Sequence, residues 1–69
     1  MNRPFFKGQL VLSLYRAVAI DKVIRGEVYV VDRFDGLFVW LRGQRYGWRA
    51  NRFRPLTYAE AARLGWRTG

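Results

Sequence analysis

Gln44-Arg45-Tyr46-Gly47-Trp48-Arg49-Ala50-Asn51-Arg52-Phe53-Arg54-Pro55-Leu56 interleaves four arginines with three aromatics and closes on a proline. The run reads as a strand over residues 46–49, one helical turn over 51–53 and a short strand over 54–56. The proline confines that last strand to a sheet edge, since it has no N–H to give to a second neighbour. The same residues indicate a class of partner: a guanidinium pairs with phosphate or carboxylate while a neighbouring ring stacks.

Upstream, Glu27-Val28-Tyr29-Val30-Val31-Asp32-Arg33 is apolar on both faces and is the best candidate for a central strand. Phe34-Asp35-Gly36 follows, and Asp-Gly between two β-rich runs is a hairpin signal, because both residues tolerate positive φ. On the return strand, residues 37–42, Leu37, Val39 and Leu41 share one face while Phe38, Trp40 and Arg42 share the other. If the aliphatic face is the core, Phe38 and Trp40 either pack under a helix or a symmetry mate or form an exposed platform. Gly43-Gln44-Arg45 makes the next tight turn.

Further back, Leu10, Leu12 and Leu14 alternate with Gln9, Val11 and Ser13, which predicts a strand whose leucine face lies on the core. Gly8 marks the turn before it, and residues 1–7 form a short arm carrying Arg3, Pro4, Phe5 and Phe6. Residues 15–25 fit neither period cleanly: Ala17, Ile20 and Ile24 have helical spacing, while Val18 and Ile20 fit a strand. A long loop or irregular hairpin is expected there. The positions expected to be least exposed are Leu12, Val30, Val39 and Phe53, with Trp48 also turned inward.

Downstream, Thr57-Tyr58-Ala59-Glu60 matches a capping box, threonine at the cap and glutamate three residues on. Tyr58, Ala61, Ala62 and Leu64 follow at helical spacing, and Gly65 stands where a left-handed stop is wanted. A short helix over 57–65 therefore closes the chain, followed by a tail of Trp66 and Arg67.

At 69 residues the chain is one domain, and with 51% hydrophobic and 17% aromatic residues it has enough apolar area for a small core. It has no cysteine and no histidine, so disulfides, thiolate zinc sites and imidazole ligands are all excluded. Neither a triad nor a low-pKa thiolate is possible, and Ser13 is the only serine. Asp32 and Asp35 bracket the expected hairpin and suit turn chemistry rather than acid–base work or a magnesium site. A non-enzymatic protein without cofactor or metal is expected.

Thirteen basic residues, eleven of them arginine, stand against five acidic ones, a formal net charge of +8. Such an excess suits a polyanion or an acidic protein surface; a solvated arginine-rich surface is the plain alternative. No segment reaches the roughly 20 apolar residues that span a bilayer. Ser13 and Arg16 interrupt residues 10–20, which argues against a signal-peptide core, and no long basic amphipathic helix offers membrane contact. A cytoplasmic protein is expected.

Five short strands, a long first loop, two tight hairpins and a helical turn before the last strand resemble the SH3-like small barrel, over residues 8–56. The likeness is closest at Gly47-Trp48-Arg49-Ala50-Asn51-Arg52-Phe53-Arg54-Pro55-Leu56, which is similar to the end of SH3 domains. Gly26-Glu27-Val28-Tyr29-Val30-Val31, the Asp35-Gly36 hairpin and Trp48-Arg49-Ala50-Asn51-Arg52-Phe53 also resemble short SH3-like proteins encoded by bacteriophages and prophages. The resemblance implies a mainly β, five-stranded barrel with a short C-terminal α-helix. It departs from peptide-binding SH3 domains, whose first loop is acidic, because Asp21 is the only acidic residue in 15–25. Basic SH3-like barrels of archaeal chromatin and of integrase C-terminal domains bind duplex DNA on a sheet face.

The residues thus point to a basic binding module. Arg42, Arg45, Arg49, Arg52 and Arg54 are expected to contact phosphates, with Trp40 or Tyr46 stacking on or wedging against bases and little sequence specificity. The alternative is a phage-type protein-interaction module that binds and modulates an acidic surface of a host protein, with an exposed aromatic as its hot spot. A homo-oligomer whose helix swaps or packs across a symmetry axis is compatible with either.

Overall fold

The structure is a computed structural model that describes residues 5–19 and 21–66. Arg3 and Pro4 of the expected arm, Ile20 in the first loop and Arg67 of the tail lie outside the described residues. Seven strands, β1 (Leu10–Ser13), β2 (Ala17–Val18), β3 (Lys22–Val23), β4 (Val28–Phe34), β5 (Phe38–Leu41), β6 (Gly47–Arg49) and β7 (Phe53–Pro55), precede one helix, α1 (Tyr58–Arg63). A 3₁₀ turn, Ala50–Arg52, links β6 to β7. The protein is mainly β. Five strands form an antiparallel sheet in the order β6-β5-β4-β1-β7, and β2 and β3 make a separate hairpin. β4 is central, as its two apolar faces require, and Pro55 lies on an edge strand.

Each face of the sheet carries an apolar cluster. On one, Phe5, Val11, Val23, Val31, Val39, Leu41 and Phe53 are buried together, with Tyr29, Phe34, Trp48 and Ala50 packed around them. On the other, Leu10, Leu56 and Ala61 of α1 are buried, flanked by Leu12, Val28, Val30 and Trp66. This second cluster corrects the expected leucine face of β1. Val11 and Ser13 turn to the main core, Leu10 and Leu12 face the helix, and Leu14, 48% exposed, lies past the end of the strand. Val39 and Phe53 are buried as expected, whereas Leu12 and Val30 are only half-buried. A six-residue helix is too short to cover them completely. Leu37, at 52% exposure, also leaves the core face, because the turn before β5 takes it out of the strand.

β4 changes phase along its length. Val31 pairs with Leu41, but Arg33 pairs with the very next residue of β5, Trp40, so Asp32 is an extra residue and the strand is bulged. Before the bulge Val28 and Val30 face the helix; after it Arg33 faces outward and Phe34 turns into the main core, edge-on to Phe5 at 5.3 Å between ring centroids.

Local polar bonds fix the turns. The Asp35 carboxylate accepts from the backbone N–H of Leu37 (2.9 Å) and Phe38 (2.8 Å), while Gly36 supplies the φ of 104° that closes the β4–β5 connection. At α1, Thr57 Oγ1 accepts from Glu60 N and Glu60 Oε1 accepts from Thr57 N, a complete capping box. At the far end Gly65, φ 92°, lets its own N–H reach Ala62 O and the Trp66 N–H reach Ala61 O. This pairing brings Trp66 back onto the second cluster.

Two outcomes follow. Val39→Ala, in the main core, should lower stability by roughly 1 to 4 kcal/mol, while Leu14→Ala stays within about 0.5 kcal/mol of wild type. Denaturant midpoints for the two variants check this, and equal effects would contradict the assignment of faces. The second outcome concerns acid. The Phe38 and Leu37 amides hold the Asp35 carboxyl below its ordinary 3.8, and the Thr57 amide with Arg54 holds Glu60 below its ordinary 4.5. The unfolded chain therefore takes up these protons first as pH falls. The stability the two groups contribute is complete above their ordinary values and is lost as pH drops through the lower folded ones. Melting of wild type should fall more steeply over that window than melting of the Asp35→Asn, Glu60→Gln double variant. Parallel curves would contradict it.

Candidate nucleic-acid interface

Outward-facing residues of β4, β5 and β6 converge on one uncovered patch. The register sets Arg33 opposite Trp40, Trp40 opposite Gly47, and Phe38 opposite Arg49. Across these three strands the side chains interlock. The Arg33 guanidinium carbon lies 3.9 Å from the centroid of the Trp40 ring, and Trp40 meets Phe38 edge-on at 6.3 Å. Arg49 stands over Phe38 at 5.9 Å, a looser version of the same contact. Cation–π attraction between the guanidinium and the indole holds Arg33 in place.

Gly47 explains how the indole can lie down. A Cβ built there would stand 2.9 Å from Trp40 Cε2, closer than real Cβ atoms come, and a tight 3.1 Å from Phe38 Cβ. Its backbone lacks positive φ, so space rather than conformation selects glycine. Because β5 runs between β4 and β6, Trp40 is flanked on one side by the β6 backbone and on the other by Arg33. Phe38 and Trp40 are half-buried by these neighbours. The helix packs elsewhere, its Ala61 joining Leu10 and Leu56.

The loop from β5 to β6 adjoins the Trp40 end of this patch. It carries Arg42 and Arg45, both exposed, and Tyr46, 54% exposed. A single acidic residue shapes it: Asp21 Oδ2 accepts from Arg45 N (2.8 Å) and Tyr46 N (2.9 Å). Gln44 completes the link, donating to Lys22 O and accepting from Trp48 Nε1. The β2–β3 hairpin is thereby pinned to the arginine-bearing loop.

The five arginines expected at the interface do not share one surface. Arg49 belongs to the patch, and Arg42 and Arg45 border it. Arg52, half-buried in the 3₁₀ turn, stacks on Tyr15 with its guanidinium carbon 3.9 Å from the ring centroid. Arg54, on β7 at the other edge of the sheet, donates to Glu60 Oε2 at 3.2 Å, the one ion pair among the described residues. Conversely, Arg33 was not among the expected contacts. Its signal was present in the alternation itself: Tyr29 and Val31 face the core, and an unbroken strand would bury Arg33 beside them without a partner. A bulge is the way out.

No group of three or more His, Cys, Asp or Glu among the described residues is placed to hold a metal, and no described helix is long and apolar enough to cross a membrane. Comparison with family models, with curated proteins and with solved structures gives no match to this chain.

Gly47→Ala should lift the Trp40 indole from β6 and loosen its contact with Arg33. In a ¹⁵N-correlated spectrum, the Trp40 indole N–H should move far more than that of Trp48, which stays bonded to Gln44. An unchanged Trp40 signal would contradict the close packing.

Proposed function

We propose that this chain is a non-enzymatic, SH3-like small barrel that contacts nucleic acid through the outer face of β4, β5 and β6, with little sequence specificity. The observation that carries the reading is Arg33 stacked on Trp40 beside Phe38 and Arg49. Planar cations and rings laid side by side suit the two chemistries every nucleotide offers, an anionic phosphate and a flat base. The five antiparallel strands and the 3₁₀ turn before β7 agree with the barrel that the sequence resembles.

Charge supports the same partner. Arg33, Arg42, Arg45 and Arg49 have no carboxylate within 4.0 Å among the described residues, on a chain of net charge +8. Exposed guanidinium groups left without a carboxylate partner are free to exchange counterions for phosphates. Low specificity follows from the helix: α1 has six residues and buries Ala61 against the sheet, so it cannot serve as a reading helix in a groove.

Titration of a labelled duplex and a labelled single strand at several salt concentrations tests the proposal. With about three to four phosphates neutralised, the log–log salt slope on duplex should be about −2.7 to −3.6, and correspondingly lower on a single strand. Arg42→Ala with Arg45→Ala should flatten it by up to about two phosphates' worth and weaken all sequences alike. Absence of binding to either probe at low salt would overturn the reading in favour of an acidic protein surface.

A further inference from the structure

We infer that the patch is built for unpaired nucleotides, with Arg33 rather than Trp40 as the plate on which a base stacks. This inference rests on the nucleic-acid reading above and narrows it to single strands. Trp40 is half-buried between the β6 backbone and Arg33, which leaves it less open to a base than the exposed guanidinium. Arg33 is exposed, and its guanidinium carbon lies 3.9 Å from the indole centroid, so the side of the group away from the indole is left to solvent. The indole therefore acts as a support. It holds the guanidinium flat, which lowers the entropy lost when a base settles on it.

Geometry separates single strands from duplexes. A duplex hides its base faces in the stack and presents phosphates and groove edges along its sides, so a flat plate gains little from it beyond charge. An unpaired base offers its whole face, to a guanidinium plane as readily as to a ring. Two such stations exist here, Arg33 on Trp40 and Arg49 over Phe38, and the two supporting rings are 6.3 Å apart. A strand that reaches both stations must lay more than one base against the sheet, which a duplex, its bases paired and stacked, does not offer.

The exposed Arg42 and Arg45 beside the Trp40 end then supply phosphate contacts as the strand leaves the patch, and Asp21 fixes the backbone that carries Arg45. Nothing in the arrangement selects the sugar. Deoxy and ribo strands of one sequence should bind alike.

Arg33→Lys is the discriminating variant, because it keeps the charge and removes the plane. Wild type and Arg33→Lys are titrated with a mixed-sequence oligonucleotide as deoxy single strand, ribo single strand and DNA duplex at one low salt concentration, and again across a salt series. Wild type should bind either single strand about tenfold or more tighter than the duplex, despite the lower charge density of the strand. Arg33→Lys should lose about five- to tenfold on single strands with an unchanged salt slope, lose little on duplex, and melt within a few degrees of wild type. Equal or tighter binding to duplex, or Arg33→Lys indistinguishable from wild type on single strands, overturns the inference while leaving a nucleic-acid module standing. Silence towards all three probes overturns both.

Discussion

The extra residue in β4 is the constraint on which the rest of the molecule depends. A strand alternates its side chains strictly, so one strand ordinarily commits to one inner and one outer face over its whole length. β4 must do more. Its first half lies between two apolar clusters, with Tyr29 and Val31 towards one and Val28 and Val30 towards the other. Its second half has an apolar cluster on one side only. Asp32 absorbs the change: exposed and opposite no residue of β5, it shifts the phase so that Phe34 enters the core and Arg33 leaves it. Without that step a guanidinium would be buried, at a cost of several kcal/mol, and Trp40 would have no cover.

Around this strand, a small chain without disulfides is tied together by side chains bonding to backbone. Ser13 Oγ accepts from Tyr15 N and donates to Tyr15 O, Tyr29 Oη accepts from Ile24 N, and Asp21 accepts from two amides of a distant loop. Each bond anchors an irregular segment to a strand or to another loop, and each satisfies polar groups that the short strands leave over. The same bonds hold the loop that carries Arg42, Arg45 and Tyr46 from the β2–β3 hairpin, through Asp21 and Gln44.

Much of the fold was legible in the residues, and the reasons are local. The Asp35-Gly36 turn, the capping box of Thr57 and Glu60, the stop at Gly65 and the proline on an edge strand each depend on chemistry within a few positions. Residues 15–25, expected as a long loop or an irregular hairpin, contain the short hairpin of β2 and β3. The leucine face of β1 was misread because two apolar clusters, rather than one, flank the sheet, and alternation cannot say which face holds the larger. The arginines of residues 45–54 were read as one surface because they are close in sequence. In space β6, the 3₁₀ turn and β7 turn Arg49, Arg52 and Arg54 to a phenylalanine, a tyrosine and a glutamate respectively. Arg33 was missed for the opposite reason: its partner Trp40 lies across a strand pair, and the bulge that joins them is a tertiary feature.

The most direct measurement of this account is a titration of ¹⁵N-labelled protein with a short single-stranded oligonucleotide, followed residue by residue. The largest shifts should fall at the Arg33 side chain, the Trp40 indole N–H and the Arg49 amide, with smaller ones at Arg42 and Arg45 and none along α1. Shifts centred instead on Arg54, Glu60 and Arg63, with the Arg33 and Trp40 signals unmoved, would contradict it.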